Sequence, residues 1–227
     1  MVFYGYMSTL FIVATPIGNL QDITLRALET LKTVDLIACE DTRMTKRLLD
    51  EYQITTQTIS YHQHSKVGKI DFIIAKLKEG KNVALVSDAG TPGISDPGGL
   101  LVKAAWQEGI KVESVPGPSA LTAALSVSGL PTDRFLFLGF LPHKKGRETL
   151  IRQIADSPVT VIFYESVHRI EKALQQLIAA GIDREIVVAR ELTKKFETVY
   201  RGSVQAVLEN LTADQVKGEF VVIVSKN

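Results

Sequence analysis

Residues 83–98 read Val-Ala-Leu-Val-Ser-Asp-Ala-Gly-Thr-Pro-Gly-Ile-Ser-Asp-Pro-Gly. The apolar run Val83 to Val86 has the length of a buried strand, and the loop that follows is too rich in glycine and proline to continue it. Gly90 and Gly93 permit positive φ and close approach of another molecule, while Pro92 and Pro97 fix φ and remove donors. The loop therefore offers backbone rather than bulk, which suits a small cofactor held through main-chain groups. Taken alone, such a cluster would be a tight surface turn.

Two more loops of the same character change that reading. Ala14-Thr15-Pro16-Ile17-Gly18-Asn19-Leu20 follows the apolar stretch Leu10 to Val13 and precedes a helical pattern with Leu25, Leu28 and Leu31 on one face. Val115-Pro116-Gly117-Pro118-Ser119-Ala120 follows the alternating strand Val112 to Val115. In open α/β sheets ligands bind outside the carboxyl ends of the strands, so the three loops would converge on one crevice.

The same alternation extends through the chain. Strands are expected near 10–14, 34–39, 57–61, 82–87 and 111–115, with helices near 22–32, 42–52, 66–79, 98–108 and 118–128. This predicts an α/β domain over 1–128 with a mostly parallel sheet. Gly129-Leu130-Pro131-Thr132-Asp133 reads as the boundary, and a second α/β domain over 129–227 would hold strands near 135–140, 159–164, 185–190, 197–201 and 219–225. Helices are expected there near 146–155, 167–180 and 203–210. The short connection between 190 and 197 requires an antiparallel pair, hence a mixed second sheet.

Composition narrows the function classes. With 26 Lys plus Arg against 25 Asp plus Glu, the net charge of +1 gives no global attraction to nucleic acid, so any such contact must be local. The lone Cys39 excludes an internal disulfide and a multi-cysteine zinc site, and fits a reducing, cytoplasmic compartment. The leading residues lack a basic region and a cleavage pattern, and the apolar run through Leu10 to Ala14 is too short to span a bilayer, so neither export nor membrane insertion is expected. The absence of GxxxxGK[ST], GxGxxG after a strand, HExxH and CxxC argues against nucleotide hydrolysis, a dinucleotide fold and a metalloprotease; no metal is expected.

Six motifs in order carry a more specific signal. They are Thr15 to Leu20, Cys39-Glu40-Asp41-Thr42-Arg43, Ser87 to Gly98, Val115 to Ala120, Phe163-Tyr164-Glu165-Ser166-Val167-His168-Arg169 and Ala189-Arg190-Glu191-Leu192-Thr193-Lys194-Lys195. Together they resemble the tetrapyrrole methylase family of S-adenosylmethionine-dependent methyltransferases, from Leu10 to Ser225. Within the family they are most similar to the branch that methylates a cytidine ribose 2′-hydroxyl in 16S ribosomal RNA. The resemblance implies two α/β domains with the cofactor in the cleft between them, a homodimer, and 16S RNA or the small ribosomal subunit as partner. Methylation of a tetrapyrrole carbon is the same-fold alternative, and a non-catalytic RNA-binding module the alternative of another class.

Backbone groups of Ala89, Gly90, Thr91 and Ile94 could then hold the amino-acid and sulfonium portions of the cofactor. By the family pattern Pro16, Ser119 and Ala120 would line the same pocket, and Tyr164 and Glu165 would close over the adenosine. A ribose hydroxyl needs a nearby proton acceptor. Glu40, Asp41, His62, His64 and Glu191 are candidates, with His62 and Glu191 leading. Asp41 or Thr42 is expected to cap the helix that follows. Arg43 is expected to position substrate, since a planar bidentate donor suits a phosphate. His62 and His64 would share one face of a strand; related sequences usually carry Glu and Asn where this chain has Gln63 and Ser65, so an acid's role at 63 does not carry over. His64, Lys144, Lys145, Arg147, Arg190 and Lys194 complete the expected RNA contacts.

Overall fold

The computed structural model describes residues 8–62, 67–96, 98–214 and 217–226. Two compact units meet at Ser119/Ala120. The division thus comes one helix earlier than the expected 128/129, because the helix Ala120–Ser128 packs on a strand of the second sheet.

In the first unit the elements run β1 (Thr9–Val13), α1 (Leu25–Thr33), β2 (Leu36–Cys39), α2 (Thr42–Glu51), β3 (Thr58–Ser60), α3 (Val67–Lys78), β4 (Val83–Val86), α4 (Gly99–Gln107) and β5 (Lys111–Val115), with a 3-10 turn at Leu20–Asp22 before α1. The strands pair in the order β3-β2-β4-β1-β5, all parallel. A strand buried on both faces must be apolar at every position, and these are: Ile37, Cys39, Ala84 and Val86 pack under α1 and α2 with Ala27, Leu31, Leu48 and Leu49, while Leu36, Ala38, Val83 and Leu85 pack under α3 and α4 with Ile73, Leu77, Leu101 and Ala105. Helices that follow β1 and β2 thus lie on one face and those that follow β3 and β4 on the other. Because β4 sits between β2 and β1, the crevices at its carboxyl end are the switch points of the sheet.

The second unit runs α5 (Ala120–Ser128), β6 (Phe135–Phe140), α6 (Arg147–Ala155), β7 (Thr160–Ser166), α7 (Ile170–Ala179), β8 (Glu185–Arg190), β9 (Thr198–Ser203), α8 (Val204–Ala213) and β10 (Glu219–Val224). Its strands pair in the order β6-β7-β10-β8-β9. Only β6 and β7 run parallel; β8 and β9 form the antiparallel pair that their short connection requires. Alternate residues Val161, Phe163, Ile186, Val188, Phe220 and Val222 bury against α6, α7 and α8 through Ile154, Leu174, Leu177, Val207 and Leu211. The pairing of β6 with β7 shifts register between Phe137 and Phe140, where Gly139 takes a φ of +61° that breaks the ladder. No helix among the described residues is long and apolar enough to cross a membrane.

Candidate active site

With five parallel strands, every loop that follows a strand of the first unit leaves from one edge. The loop after β4 is tied to the loops after its neighbours. Thr15 N donates to Gly90 O at 2.9 Å and Gly90 N to Thr15 O at 3.0 Å, a two-bond staple to the loop after β1. Thr15, 3% exposed, adds Oγ1 to Ser87 O at 3.0 Å, and the Ser87 hydroxyl turns back onto the carbonyls of Ala89 and Gly90 at 3.3 Å. On the β2 side Asp41 N donates to Asp88 Oδ1 at 3.0 Å; on the β5 side Thr91 Oγ1 donates to Pro118 O at 3.4 Å. Apart from the local Ser87 contacts, these bonds join the loop to segments far away in sequence, so neighbouring loops of the sheet hold it as well as its own turns.

This brings most of the expected cofactor residues together. Pro16 is buried, Thr91 and Ser119 are half-buried, and Ala89 and Ile94 are exposed on the same edge. Ala120 opens α5 of the second unit. Gly90 and Gly93 take φ of +79° and +85°. A Cβ at Gly93 would meet no protein atom within 4 Å, so the backbone there faces open space that another molecule can occupy.

The same edge is acidic. Glu40 follows β2 directly, and Asp41, Asp88 and Asp96 crowd it. Burial pushes the Glu40 carboxyl up, and the charges of Asp88, Asp96 and Asp41 add to the rise. Burial also raises Asp96, against a hydrogen bond with Ser87 and with help from the Asp88 charge. Asp41 moves the other way, to about 2, because Arg43 donates Nη2 at 2.7 Å, Nε at 3.1 Å and its amide at 2.8 Å. Asp41 is thus the N-cap of α2, as expected, and holds an Arg43 side chain that is 88% exposed. His62 is exposed just past β3, while His64, Gln63, Ser65 and Pro97 lie outside the described residues.

In the second unit, Tyr164 is half-buried at the end of β7, edge-on to Phe137 and Phe140 with ring centroids 5.0 and 5.4 Å away. Glu165 departs from expectation. Its carboxylate is 0% exposed: Oε1 accepts from Ser166 N at 2.9 Å and forms an ion pair with Arg169 at 2.8 Å, the Arg169 Nε–H itself donating to Ser166 Oγ at 3.2 Å, and Oε2 accepts from Arg147 Nη1 at 3.1 Å. Both oxygens are committed, so the side chain is not available to close over adenosine. Arg147 is corrected for the same reason. It does not join Lys144 and Lys145 on the exposed turn but is 4% exposed, because a carboxylate in the core requires a counter-charge beside it.

The other expected contacts of this unit cluster at the start of the loop after β8. Glu191 takes a φ of +50° and accepts from Lys194 Nζ at 2.9 Å and Glu219 N at 3.0 Å; Lys194 also reaches Glu219 at 3.0 Å, and Arg190 Nε donates to Lys217 O at 2.9 Å. Burial pushes the Glu191 carboxyl up, but Lys194, the Glu219 amide and the Arg190 charge outweigh it and hold it below the ordinary range. Gly218, at a φ of +115°, makes room for this carboxylate: a Cβ there would lie 2.5 Å from Glu191 Cδ and Oε1.

Residues 9–208 match the tetrapyrrole (corrin/porphyrin) methylases. The chain belongs to this family. The chain is 51% identical over 221 residues to a ribosomal RNA small subunit methyltransferase I of Synechocystis, covering 96% of this chain and 79% of that protein. The protein of the same name from Thermotoga maritima is 46% identical, with 96% and 99% covered, and that of Escherichia coli O157:H7 is 50% identical, with 95% and 77% covered. Solved structures share the fold at low identity: a cobalt precorrin-4 methyltransferase (TM-score 0.72, 18% identical, 97% and 95% covered) and a diphthine synthase (0.73, 19%, 96% and 90%). This tetrapyrrole methylase is therefore a methyltransferase whose methyl donor is S-adenosylmethionine.

The first unit's edge fits that donor. S-adenosylmethionine carries a sulfonium and an ammonium against one carboxylate, and the edge offers open backbone at Gly93 and two carboxylates, Glu40 and Asp96, whose ionised forms crowd one another. These acids carry little signal in the sequence: Glu40 reads as a candidate base, and Asp88 and Asp96 sit within a loop whose pattern is set by glycine and proline.

Two outcomes follow from this geometry. Gly93→Ala should cost ~1 kcal/mol of stability through its left-handed backbone and lower cofactor affinity at least about tenfold by calorimetry. Gly80→Ala, at φ +85° with equally open space but before β4 rather than after it, should lose similar stability and no affinity; equal affinity losses would remove the loop from the site. Secondly, a carboxyl raised in the folded state stabilises the fold below its unfolded pKa and loses that contribution as pH rises through the folded pKa. Asp96→Asn should therefore raise Tm at neutral pH, weaken cofactor binding, and flatten the fall in affinity that wild type shows as acid protonates Glu40 and Asp96.

Proposed function

We propose that this methyltransferase modifies a cytidine ribose 2′-hydroxyl of 16S ribosomal RNA, as a homodimer in the cytoplasm. The observation that carries the reading is identity of about 50% over nearly the whole chain to proteins named for small-subunit ribosomal RNA methylation. The supporting geometry is a backbone-lined, acidic edge in one unit and an exposed basic turn at Lys144 and Lys145 in the other.

S-adenosylmethionine, when bound, supplies a methyl carbon made electrophilic by the adjoining sulfonium. The chain's own task is positioning and proton removal. Thr15, Ser87 and Thr91 hold the loop whose Ala89, Thr91 and Ile94 backbone faces the donor, with Pro16, Ser119, Ala120 and Tyr164 as further contacts; Gly90, whose N–H and C=O are both bonded to Thr15, shapes the turn instead of offering those groups. Arg43 positions the RNA: its guanidinium is exposed, and Asp41 fixes its orientation without burying it. His62, exposed beyond β3, is the leading proton acceptor. Glu191, whose proton affinity Lys194 lowers, is the second. Lys144 and Lys145 engage phosphates, as do Arg190, Lys194 and His64.

Radiolabelled methyl transfer tests the reading: label should enter 16S RNA in small subunits and not porphyrinoid precursors, and the reverse would make the protein a tetrapyrrole methylase by activity as well as by family. At saturating cofactor and RNA, Arg43→Ala and His62→Ala should each slow single-turnover transfer by about tenfold or more, beyond any loss in binding. Wild-type rates in both, with Glu191→Gln equally active, would take the chemistry away from these side chains. Lys144→Ala/Lys145→Ala should weaken RNA binding and reduce its log-log salt slope by about 2, one per phosphate contact, with cofactor affinity unchanged.

A further inference from the structure

The least expected arrangement in the second unit is the buried trio Arg147, Glu165 and Arg169. Two guanidiniums share one carboxylate that has no access to water. As a source of stability this is a poor device, since apolar residues of similar size often serve as well or better. Its geometry says what else it does. Arg147 Nη1 donates not only to Glu165 but to Pro142 O at 3.3 Å, and Arg169 Nη1 donates to Leu141 O at 2.9 Å. These are consecutive carbonyls of the segment that leaves β6. Arg147 Nε is fixed in turn by Gln176 of α7 at 2.7 Å, and its amide closes the turn on Lys144 O at 3.2 Å. The segment from Leu141 to Arg147 is therefore gripped from behind by two arginines that Glu165 holds in place, while Lys144 and Lys145 stand exposed on its outer side.

We infer that Glu165, acting through Arg147 and Arg169, is a positioning residue for RNA: it holds the 141–147 turn in the shape that presents Lys144 and Lys145 to the phosphate backbone. This rests on the reading of that turn as RNA-binding. A planar guanidinium can bond a carboxylate and a carbonyl at once, which is why the device uses arginine on both sides. Phosphate contacts set register only if their donors are held in register themselves, so the interior of the turn matters as much as its charge.

The test turns on a sign. Glu165→Gln removes one negative charge beside a basic turn, so electrostatics alone would tighten RNA binding and steepen its salt dependence. Loss of the grip does the opposite. We expect RNA affinity to fall by about tenfold and the salt slope by about 1 although every lysine is present. Amide exchange from His143 to Arg147 should quicken in the RNA-free protein, and cofactor affinity should stay at the wild-type value. Should that variant fail to fold, Arg169→Lys, at a side chain 18% exposed, keeps the charge opposite Glu165 and gives up the planar double contact, with the same directions expected. Unchanged or tighter RNA binding in a folded variant overturns the inference, as does a loss of cofactor affinity matching the loss for RNA. The Lys144→Ala/Lys145→Ala variant separates the two claims. If it binds RNA as wild type does, the reading of the turn fails and the positioning role falls with it; if it is weakened and the Glu165 variant is not, the positioning role alone fails.

Discussion

The parallel pairing of β4 between β2 and β1 is the constraint from which the candidate site follows. A parallel neighbour can be reached only by a crossover, so every strand of the first sheet begins at one edge and ends at the other. The helices after β1 and β2 cover one face and those after β3 and β4 the other, which opens the sheet's crevices beside the carboxyl end of β4. The strand is only four residues long and apolar throughout. Its loop can be almost pure backbone because the surroundings supply rigidity: Thr15, Asp41 and Pro118 reach it from three different loops. The glycines remove side chains and the staples remove freedom, and only together do they make a surface on which a ligand can be aimed.

What the sequence revealed and what it concealed divide along the range of the interactions. Val83 to Val86, Ile186 to Val188 and Phe220 to Val224 show their strands in the local pattern of branched and aromatic residues, and Asp41 shows its capping role two residues from the amide it binds. Periodicity and capping are short-range properties, so a single chain records them. Arg147 and Glu165 are eighteen positions apart, and nothing near either of them states that they meet. Read locally, Arg147 belongs to a basic run and Glu165 to a motif at a strand end; folded, each is the reason the other is buried. The unit boundary misled for a similar reason. The turn residues at 129–133 are real, yet α5 before them packs on β10, almost a hundred residues further along. Gly218 is the plainest case, since its need for no side chain is imposed by Glu191 across two strands.

The two units treat their acids in opposite ways, and the contrast bears on function. Glu165 is buried with both oxygens satisfied by cations and an amide, so its charge is fully answered inside the protein. Glu40 and Asp96 are partly buried among other carboxylates, and their raised proton affinities record that ionisation there costs the folded state. A fold selected only for stability would have paired or removed such groups. An acid whose charge is answered within the fold positions the protein's own backbone, as Glu165 grips the carbonyls of Leu141 and Pro142 through two arginines. An acid whose charge is left unanswered at an open, backbone-lined edge is one that a cation arriving from outside can answer. The cationic methyl donor of this family is such a partner, and its binding would relieve the repulsion among these carboxylates.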